Sequence, residues 1–353
     1  MRSGGTEDSI IIKNPSFTNE TTRSLDRLYR ESLKRLPLDT DDKYAVFSDL
    51  HLGDGGKADK FLHNHETLEY ALNYYKEQGY AVILLGDIEE LWQFDLPRIR
   101  DRYDSTIYAI LRSFPPGKLH RVYGNHDKDW AGLRDPISKR KTVFGAPEGI
   151  LLNDDILLVH GHQGEKMSDQ RAWFSRFWIR LFKIIEPTLT KFGYKNYSAT
   201  ESQIPRDRER IYYQWAKANR VFLICGHTHR AIFASRSYYN WLKEQLRLKR
   251  PPLRQYSDDI KDRGALITEF LKERNMGRNI NALEPDGKDP LPCYFNTGCG
   301  LYRHGLTNLE IEKDKIRLVK WRNDRSLALN HRRIKLWRDG HWAEFRKELR
   351  SQS

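Results

Sequence analysis

The chain has 353 residues, 39% hydrophobic and 12% aromatic, so it can bury a sizeable core and is not a disordered tail. Lysine and arginine outnumber aspartate and glutamate by 61 to 48, and the net charge of +13 favours anionic partners: phosphorylated metabolites, nucleic acid or an anionic membrane face. No stretch approaches the roughly 18 to 20 uncharged apolar residues of a membrane-spanning helix. The three cysteines lack metal-type spacing and indicate a reducing compartment, so we expect a cytoplasmic protein.

The first predicted element is an amphipathic helix over residues 20–36, where apolar side chains recur at spacings of three and four. Short apolar runs follow, each of strand length and each ending in a polar cluster. The five runs are residues 44–48, 81–85, 119–123, 156–159 and 221–225. A helical pattern over 66–78 separates the first two runs. This alternation favours an α/β layered domain with its site at the carboxyl ends of the strands.

Residues 294–298 and a hairpin over 306–312 and 315–321 are predicted to add further strands. Two long stretches interrupt the plan. Residues 166–205 are rich in aromatic and basic side chains, and residues 230–292 contain proline and glycine loop breaks. We therefore predict three parts: a helical lead-in over 1–43, a main domain over 44–322 that includes both insertions, and a basic C-terminal tail over 323–353.

The polar clusters at the ends of the five apolar runs predict a metal site. In a layered sheet these ends converge on one crevice, which gathers carboxylates, an amide and several histidines. Without cations such a pocket would pay a large desolvation penalty for its carboxylates. Oxygen ligands mixed with imidazole suit Mn, Fe or Zn, and a carboxylate can bridge two ions.

The order of these clusters resembles the five motifs of the calcineurin-like metallophosphoesterase superfamily. The matching residues are Asp49-x-His51, Gly86-Asp87, Gly124-Asn125-His126-Asp127, His160 and Gly226-His227-x-His229. The residues alone suggest one open sheet. The resemblance instead implies a four-layer α/β/β/α sandwich of two mixed sheets flanked by helices, with a helical lid insertion at 166–205.

The resemblance also implies a role for each site residue. Asp49, His51 and His229 would hold the first metal ion. Asp87 would bridge the two ions, and Asn125, His160 and His227 would hold the second. Two divalent ions, Mn²⁺ first and Fe or Zn as alternatives, would activate a bridging hydroxide to attack a phosphoester or pyrophosphate. His126 would stabilise charge or protonate the leaving oxygen, with Asp127 fixing its tautomer.

A narrower resemblance is to UDP-2,3-diacylglucosamine pyrophosphohydrolases, in which a helical lid covers acyl chains. It is carried by residues 86–92, residues 145–160 and the long insertion before Gly226. The insertion has an apolar stripe within residues 171–185 and cations off it. The predicted substrate-binding residues are His162, Arg176, Trp178, Arg180 and Phe182. A stripe packed on the protein's own core and a merely polar His162 are the alternatives.

This chain departs from that narrower group in having histidine at 126 and at 162, where arginine and aspartate are common there. Only the insertion therefore leads us to expect a phosphorylated, amphiphilic substrate and peripheral membrane or lipid contact. A nuclease or phosphodiesterase gripping nucleic acid with basic segments is open but not favoured, because no nucleic-acid-binding module is recognisable. A protein phosphatase and a non-catalytic scaffold are further alternatives. Trp92 is interpreted as a core residue.

Overall fold

The computed structural model describes residues 15–31, 34–127, 137, 147–164, 204–237, 283, 289–302, 305–323, 331–336 and 339–351. Within these ranges the chain forms two β-sheets and six α-helices. The helices are α1 (Pro15–Arg30), α2 (His65–Glu77), α3 (Leu96–Tyr103), α4 (Ile107–Arg112), α5 (Ile204–Asn219) and α6 (Trp342–Arg350). None of them is long and apolar enough to span a membrane.

The strands divide between two mixed sheets of seven strands each. Sheet I contains β1 (Lys34–Leu36), β5 (Gly149–Leu152), β6 (Ile156–Val159), β7 (Phe222–Cys225), β10 (Tyr294–Thr297), β8 (Ala231–Phe233) and β9 (Arg236–Ser237), in that spatial order. Sheet II contains β13 (His331–Lys335), β12 (Lys315–Asn323), β11 (Leu306–Glu312), β2 (Lys43–Phe47), β3 (Ala81–Leu85) and β4 (Leu119–Val122), and β14 (Gly340–His341) pairs with β12.

Parallel strands lie at the centre of sheet I and along one side of sheet II. In sheet I, β6, β7 and β10 are parallel, whereas β5 runs antiparallel to β6 and parallel to β1, and β8 runs antiparallel to β10. In sheet II, β2, β3 and β4 are parallel and β11 runs antiparallel to both β2 and β12. Parallel neighbours bring their carboxyl ends to the same edge of a sheet, and this places the five polar clusters.

Alternation along β2 shows how the layers stack. Tyr44 and Val46 face a core shared with sheet I, α1 and α5, whereas Ala45 and Phe47 face a second core under α2, α3 and α4. Helices therefore cover the outer face of each sheet, with α1 and α5 on sheet I. The α/β/β/α sandwich is confirmed, and the single open sheet suggested by the residues alone is wrong.

The chain also differs from the sequence prediction at its first helix. That helix ends at Arg30, and residues 34–36 form β1, which pairs with β5. Pro37 disfavours helical backbone at Leu36, which explains the extended conformation there. The strand β5 was not predicted, although Asn153 and Asp154 after it adopt left-handed backbone with φ of 47° and 61°, as expected of a tight turn into β6.

The second insertion and the predicted tail contribute to the described fold, whereas residues 166–203 of the predicted lid lie outside the described residues. Residues 231–233 and 236–237 of the second insertion form the β8–β9 pair at the edge of sheet I. Within the predicted tail, β13 pairs with β12, and Trp342 of α6 is buried against Phe222 and Phe295. The tail is thus partly built into the domain, while the predicted domain boundaries stay predictions.

Candidate metal centre and active site

The polar clusters that follow β2, β3, β4, β6 and β7 meet at one end of the sandwich. Direct hydrogen bonds join clusters from the two sheets. The backbone N–H of His227 donates to both carboxylate oxygens of Asp49, at 3.0 and 2.9 Å, and the Nδ1 of His160 lies 2.9 Å from the carbonyl oxygen of Leu85. The site therefore lies between the sheets, at the carboxyl ends of parallel strands.

The backbone at this end is unusual. Several predicted ligands adopt the left-handed conformation, which costs a non-glycine residue roughly 1–3 kcal/mol. Their φ angles are 51° for Asp49, 51° for His51, 54° for Asp87, 66° for His227 and 55° for His229. Strain of this kind persists where the surroundings hold it, and it clusters at functional sites.

Close packing behind the ligands explains the glycine of the Gly86-Asp87 motif. Gly86 has φ of +83°, and a Cβ there would lie 2.5 Å from the His160 Nδ1 and 2.8 Å from the backbone nitrogen of Gly124. Any side chain would displace both neighbouring segments. Gly86 therefore lets the loops after β3, β4 and β6 approach one another.

Asp49, His51 and His229 form the first ligand group. Their candidate ligand atoms all lie within 4.8 Å of one another. The Nε2 atoms of His51 and His229 are 3.1 Å apart, and the His229 Nε2 is 3.2 Å from the Oδ1 of Asp49. Imidazole nitrogens and a carboxylate oxygen therefore converge on one point.

Asp87, His160 and His227 form the second group, with the same 4.8 Å limit. The Nε2 of His160 lies 3.1 Å from the Oδ2 of Asp87, and that same oxygen is 3.9 Å from the Nε2 of His51 in the first group. The Asp87 carboxylate thus faces both groups. Asn125, also predicted as a ligand, is 3% exposed in the loop after β4.

Two buried atoms indicate that this site fits cations. Among the residues that the structure describes, the Oδ1 of Asn125 has no hydrogen-bond partner, and the Nε2 of His160 makes no aligned hydrogen bond although it faces the Asp87 carboxylate at 3.1 Å. Unmade hydrogen bonds at buried polar atoms cost roughly 1–3 kcal/mol each, so such atoms call for an explanation. With Nδ1 of His160 directed at a carbonyl, its Nε2 is the nitrogen that could bind a metal ion.

The charges of the site also indicate that it fits cations. Burial alone would raise the pKa of Asp87, but His160 and His126 hold it well below its usual range. Burial would lower the pKa of His160, whereas Asp87 and Asp49 raise it to about 10. Buried carboxylates are therefore balanced by protons on histidine, and divalent ions could replace those protons.

His126 is held by two residues whose roles the sequence did not reveal. Its Nδ1 lies 2.8 Å from the Oε1 of Glu90, and its ring stacks on Trp92 with centroids 3.8 Å apart. Burial alone would lower the pKa of His126, but the carboxylates of Glu90 and Asp87 raise it to about 9. Glu90 also lies 2.8 Å from the Nδ1 of His51 through its other oxygen. Glu90 thus orients both a candidate ligand and the candidate acid.

Two sequence interpretations are wrong here. Asp127 was expected to fix the tautomer of His126, but its carboxylate instead accepts from the backbone N–H groups of Gly124 and Ile88, at 2.6 and 2.8 Å. The Asp127 side chain is thus engaged by the backbone of its own turn and of the loop after β3, while the His126 Nδ1 faces Glu90. Trp92 was interpreted as core, yet its indole N–H donates to the Asn125 carbonyl at 3.0 Å.

The predicted substrate-binding residues are placed only in part. His162 lies beside the site, with its ring centroid 5.6 Å from that of His160. Arg176, Trp178, Arg180 and Phe182 lie outside the described residues. A buried arginine that no motif signalled, Arg208 of α5, contacts His227 at the edge of the second group. Substrate binding by His162 stays a prediction.

Comparison with known proteins agrees with this geometry. Residues 43–231 match the calcineurin-like phosphoesterase family. The chain belongs to that family and is a metal-dependent phosphoesterase, a hydrolase acting on phosphoester bonds. The prediction of a phosphoester hydrolase is confirmed. No curated protein matches the chain.

Solved structures with similar folds are distant in sequence. A conserved uncharacterized protein from Streptococcus pneumoniae TIGR4, described as a predicted phosphoesterase, has 12% identity, a TM-score of 0.30, and coverage of 83% of this chain and 97% of its own. Vacuolar Protein Sorting 29 from Cryptosporidium parvum has 11% identity, a TM-score of 0.35, and coverage of 83% and 97%. A Vps29 single mutant from Entamoeba histolytica has 14% identity, a TM-score of 0.35, and coverage of 84% and 99%.

Proposed function

We propose that the chain is a dinuclear metallohydrolase that cleaves a phosphoester or pyrophosphate bond. The observation that carries this proposal is the Asp87 carboxylate, whose Oδ2 lies 3.1 Å from the His160 Nε2 and 3.9 Å from the His51 Nε2. One carboxylate oxygen therefore faces both ligand groups. Mn²⁺ suits this mixture of oxygen and imidazole donors best, with Fe and Zn as alternatives.

Two divalent ions, when bound here, supply Lewis-acid activation of the phosphoryl oxygens and of the attacking water. Side chains of the protein position and donate the proton. Glu90 holds the Nδ1 of His126, and its carboxylate raises the pKa of the imidazole and so favours the protonated form. As water attacks phosphorus and the bond to the leaving oxygen breaks, the Nε2 of His126 gives that oxygen its proton.

The proposed substrate is phosphorylated and amphiphilic, such as a nucleotide-sugar lipid. Support comes from the similarity of residues 86–92 and 145–160 to UDP-2,3-diacylglucosamine pyrophosphohydrolases and from the aromatic and basic composition of 166–205. A cytoplasmic protein with peripheral membrane contact fits this substrate. Replacing Trp178 and Phe182 with serine should then raise KM for the amphiphilic substrate more than for a small phosphodiester.

A nuclease or other phosphodiesterase acting on nucleic acid is the second candidate, because the net charge of +13 favours polyanions. Two basic residues of the tail are engaged internally. Arg333 pairs with Glu310, and the Lys335 Nζ lies 2.7 Å from the Asp339 carboxylate. The tail should therefore bind nucleic acid more weakly than its composition suggests. A protein phosphatase is the third candidate.

A turnover screen on reconstituted protein tests these alternatives. Metal is removed with a chelator, its absence is verified by elemental analysis, and Mn²⁺, Fe²⁺ or Zn²⁺ is then restored. Each sample is assayed on a phosphomonoester, a phosphodiester, a nucleotide-sugar pyrophosphate, single-stranded DNA and a phosphopeptide. We expect activity only after metal return, with two equivalents bound and the pyrophosphate preferred. Full turnover in verified metal-free protein would refute the proposal.

A further inference from the structure

Arg208 lies where the first turns of α5 approach the metal centre. Its side chain is 3% exposed, and one guanidinium nitrogen, Nη1, contacts the Nε2 of His227. The same nitrogen lies 3.4 Å from the carbonyl oxygen of Gly161, which also accepts a hydrogen bond from the Tyr212 hydroxyl at 2.5 Å. A permanent positive charge is therefore buried beside a candidate metal ligand.

The contact between Arg208 and His227 is incompatible with a metal ion on His227. Guanidinium nitrogens only donate hydrogen bonds, so the Nε2 of His227 must accept, which puts the imidazole proton on Nδ1. If His227 binds metal through Nδ1, its Nε2 carries the proton and two donors face each other. If it binds through Nε2, the guanidinium lies in the path of the ion. In either case Arg208 must leave His227 when metal binds.

The phosphorylated substrate would supply an anionic partner for this guanidinium. We propose that Arg208 binds a non-bridging oxygen of the phosphate group and that it does so only once the second metal ion has displaced it from His227. This inference rests on the proposed function, because the phosphate is the group undergoing hydrolysis. The planar fork of arginine matches phosphate oxygens in two-point contacts, and burial strengthens such charge-assisted hydrogen bonds.

The residues around Arg208 are consistent with this role. The neighbouring Glu209 accepts from the Thr228 hydroxyl at 2.8 Å and pairs with Arg230, so its carboxylate is directed to the loop after β7. Placement on a helix gives Arg208 a rigid base, and its backbone need not move when the guanidinium turns.

Binding of inorganic phosphate and of Mn²⁺ to the whole chain tests the inference without using turnover. Isothermal titration measures Mn²⁺ affinity in metal-free protein and phosphate affinity in Mn²⁺-loaded protein. The variants are Arg208→Met, which keeps the length and removes the charge, and Arg208→Lys, which keeps the charge and removes the fork. Arg210→Met, on the same helix, controls for net charge. Tyr212→Phe controls for loss of a donor to Gly161.

We expect Arg208→Met to weaken phosphate binding about 10- to 100-fold, the loss expected of a hydrogen bond between charged groups. Arg208→Lys should lie between this variant and the wild type. Mn²⁺ should bind the second site of Arg208→Met as tightly as in the wild type or more tightly, because the competing guanidinium is gone. Arg210→Met and Tyr212→Phe should keep phosphate affinity within about twofold.

Two outcomes would overturn the inference. Unchanged phosphate affinity in Arg208→Met with two Mn²⁺ bound would show that the guanidinium does not contact phosphate. Loss of the second Mn²⁺ in both Arg208 variants would show that Arg208 supports the metal site itself. A failure of the proposed function looks different, since the wild type would then bind neither two metal ions nor phosphate. Thermal unfolding of each variant identifies misfolded samples, and Arg208→Lys decides the question if Arg208→Met does not fold.

Discussion

The metal centre and a second buried cluster on sheet II both contain buried carboxylates, and they balance this negative charge in different ways. We call the second one the Glu310 cluster. It contains Glu310, Arg317, Arg333, Tyr75 and Asn308. The Glu310 side chain is fully buried, and its carboxylate accepts from the Tyr75 hydroxyl at 2.9 Å and from the Arg333 Nε at 2.6 Å.

The two clusters differ in what balances the buried negative charge. Arginines, which are always protonated, balance Glu310, and none of the buried polar side-chain atoms of this described cluster lacks a hydrogen-bond partner. Titratable histidines balance the carboxylates of the metal centre, and the Asn125 Oδ1 there has no hydrogen-bond partner. A complete network stabilises the fold, whereas an incomplete one is built to receive a ligand.

The largest effect on turnover should come from Asp87→Asn, which removes a charge that faces both ligand groups. We expect turnover of a chromogenic phosphodiester to fall by at least about 10³-fold, because charge stabilisation is lost at both groups. Elemental analysis should find fewer than two metal ions per chain. Two bound ions with near-normal turnover would show that Asp87 does not link the groups.

His126→Ala should act on the chemistry and leave metal binding intact. Turnover should fall by roughly 10²- to 10⁴-fold, the usual cost of losing an acid–base group, while two ions stay bound. His65→Ala, at the start of α2, controls for loss of an imidazole away from the site. If His126→Ala instead loses one ion, His126 is a ligand and the proposed proton donor is wrong.

Glu90→Gln should have a smaller effect and should act on two histidines together. The amide keeps the shape but removes the charge that raises the pKa of His126, and its single oxygen can no longer accept from both His51 and His126. Residues that hydrogen-bond to metal ligands typically contribute 10- to 100-fold to metal affinity or activity. We expect both quantities to fall by about that much.

Glu89→Gln is the matched control for Glu90→Gln. The Glu89 carboxylate lies 2.7 Å from Arg121 and accepts from Tyr108 at 2.9 Å, away from the ligands. Glu89→Gln should therefore lower thermal stability but keep metal affinity. Equal losses of metal affinity in both variants would indicate a general disturbance of the loop after β3.

The candidate ligands could be predicted from the sequence because their signal is local. An apolar run that ends in Asp-x-His or Gly-Asp predicts both the strand and the position of the carboxylate, and the structure brings these side chains together at one edge. The division into two sheets has no such signal, since a strand such as β3 is buried on both faces whichever sheet contains it. Only the resemblance to a family implied the sandwich.

The residues that orient the ligands were harder to predict. Glu89 and Glu90 are adjacent and chemically identical, and only the turn after β3 determines that Glu90 faces His51 and His126. Arg208 stands in no motif, and it reaches His227 because α5 packs beside β7. Contacts between distant segments decide both cases, and hydrophobic periodicity carries no information about them.

The smallest effect on turnover should come from Glu310→Gln, which nevertheless should have a large effect on stability. The substitution leaves Arg317 and Arg333, 14% and 28% exposed, beside an uncharged amide. Breaking a buried ion pair costs about 3–5 kcal/mol of the free energy of unfolding, and partial exposure of the arginines places the expected loss at about 3 kcal/mol. Urea titration should show a lower midpoint with an unchanged slope.

Turnover per folded molecule should stay within about twofold, and Mn²⁺ should stabilise this variant by the same increment as the wild type, since the cluster binds no metal. Asp87→Asn should show the reverse pattern, with little stabilisation by Mn²⁺. If Glu310→Gln instead abolishes the response to Mn²⁺, the two clusters are coupled through sheet II and the contrast between them fails.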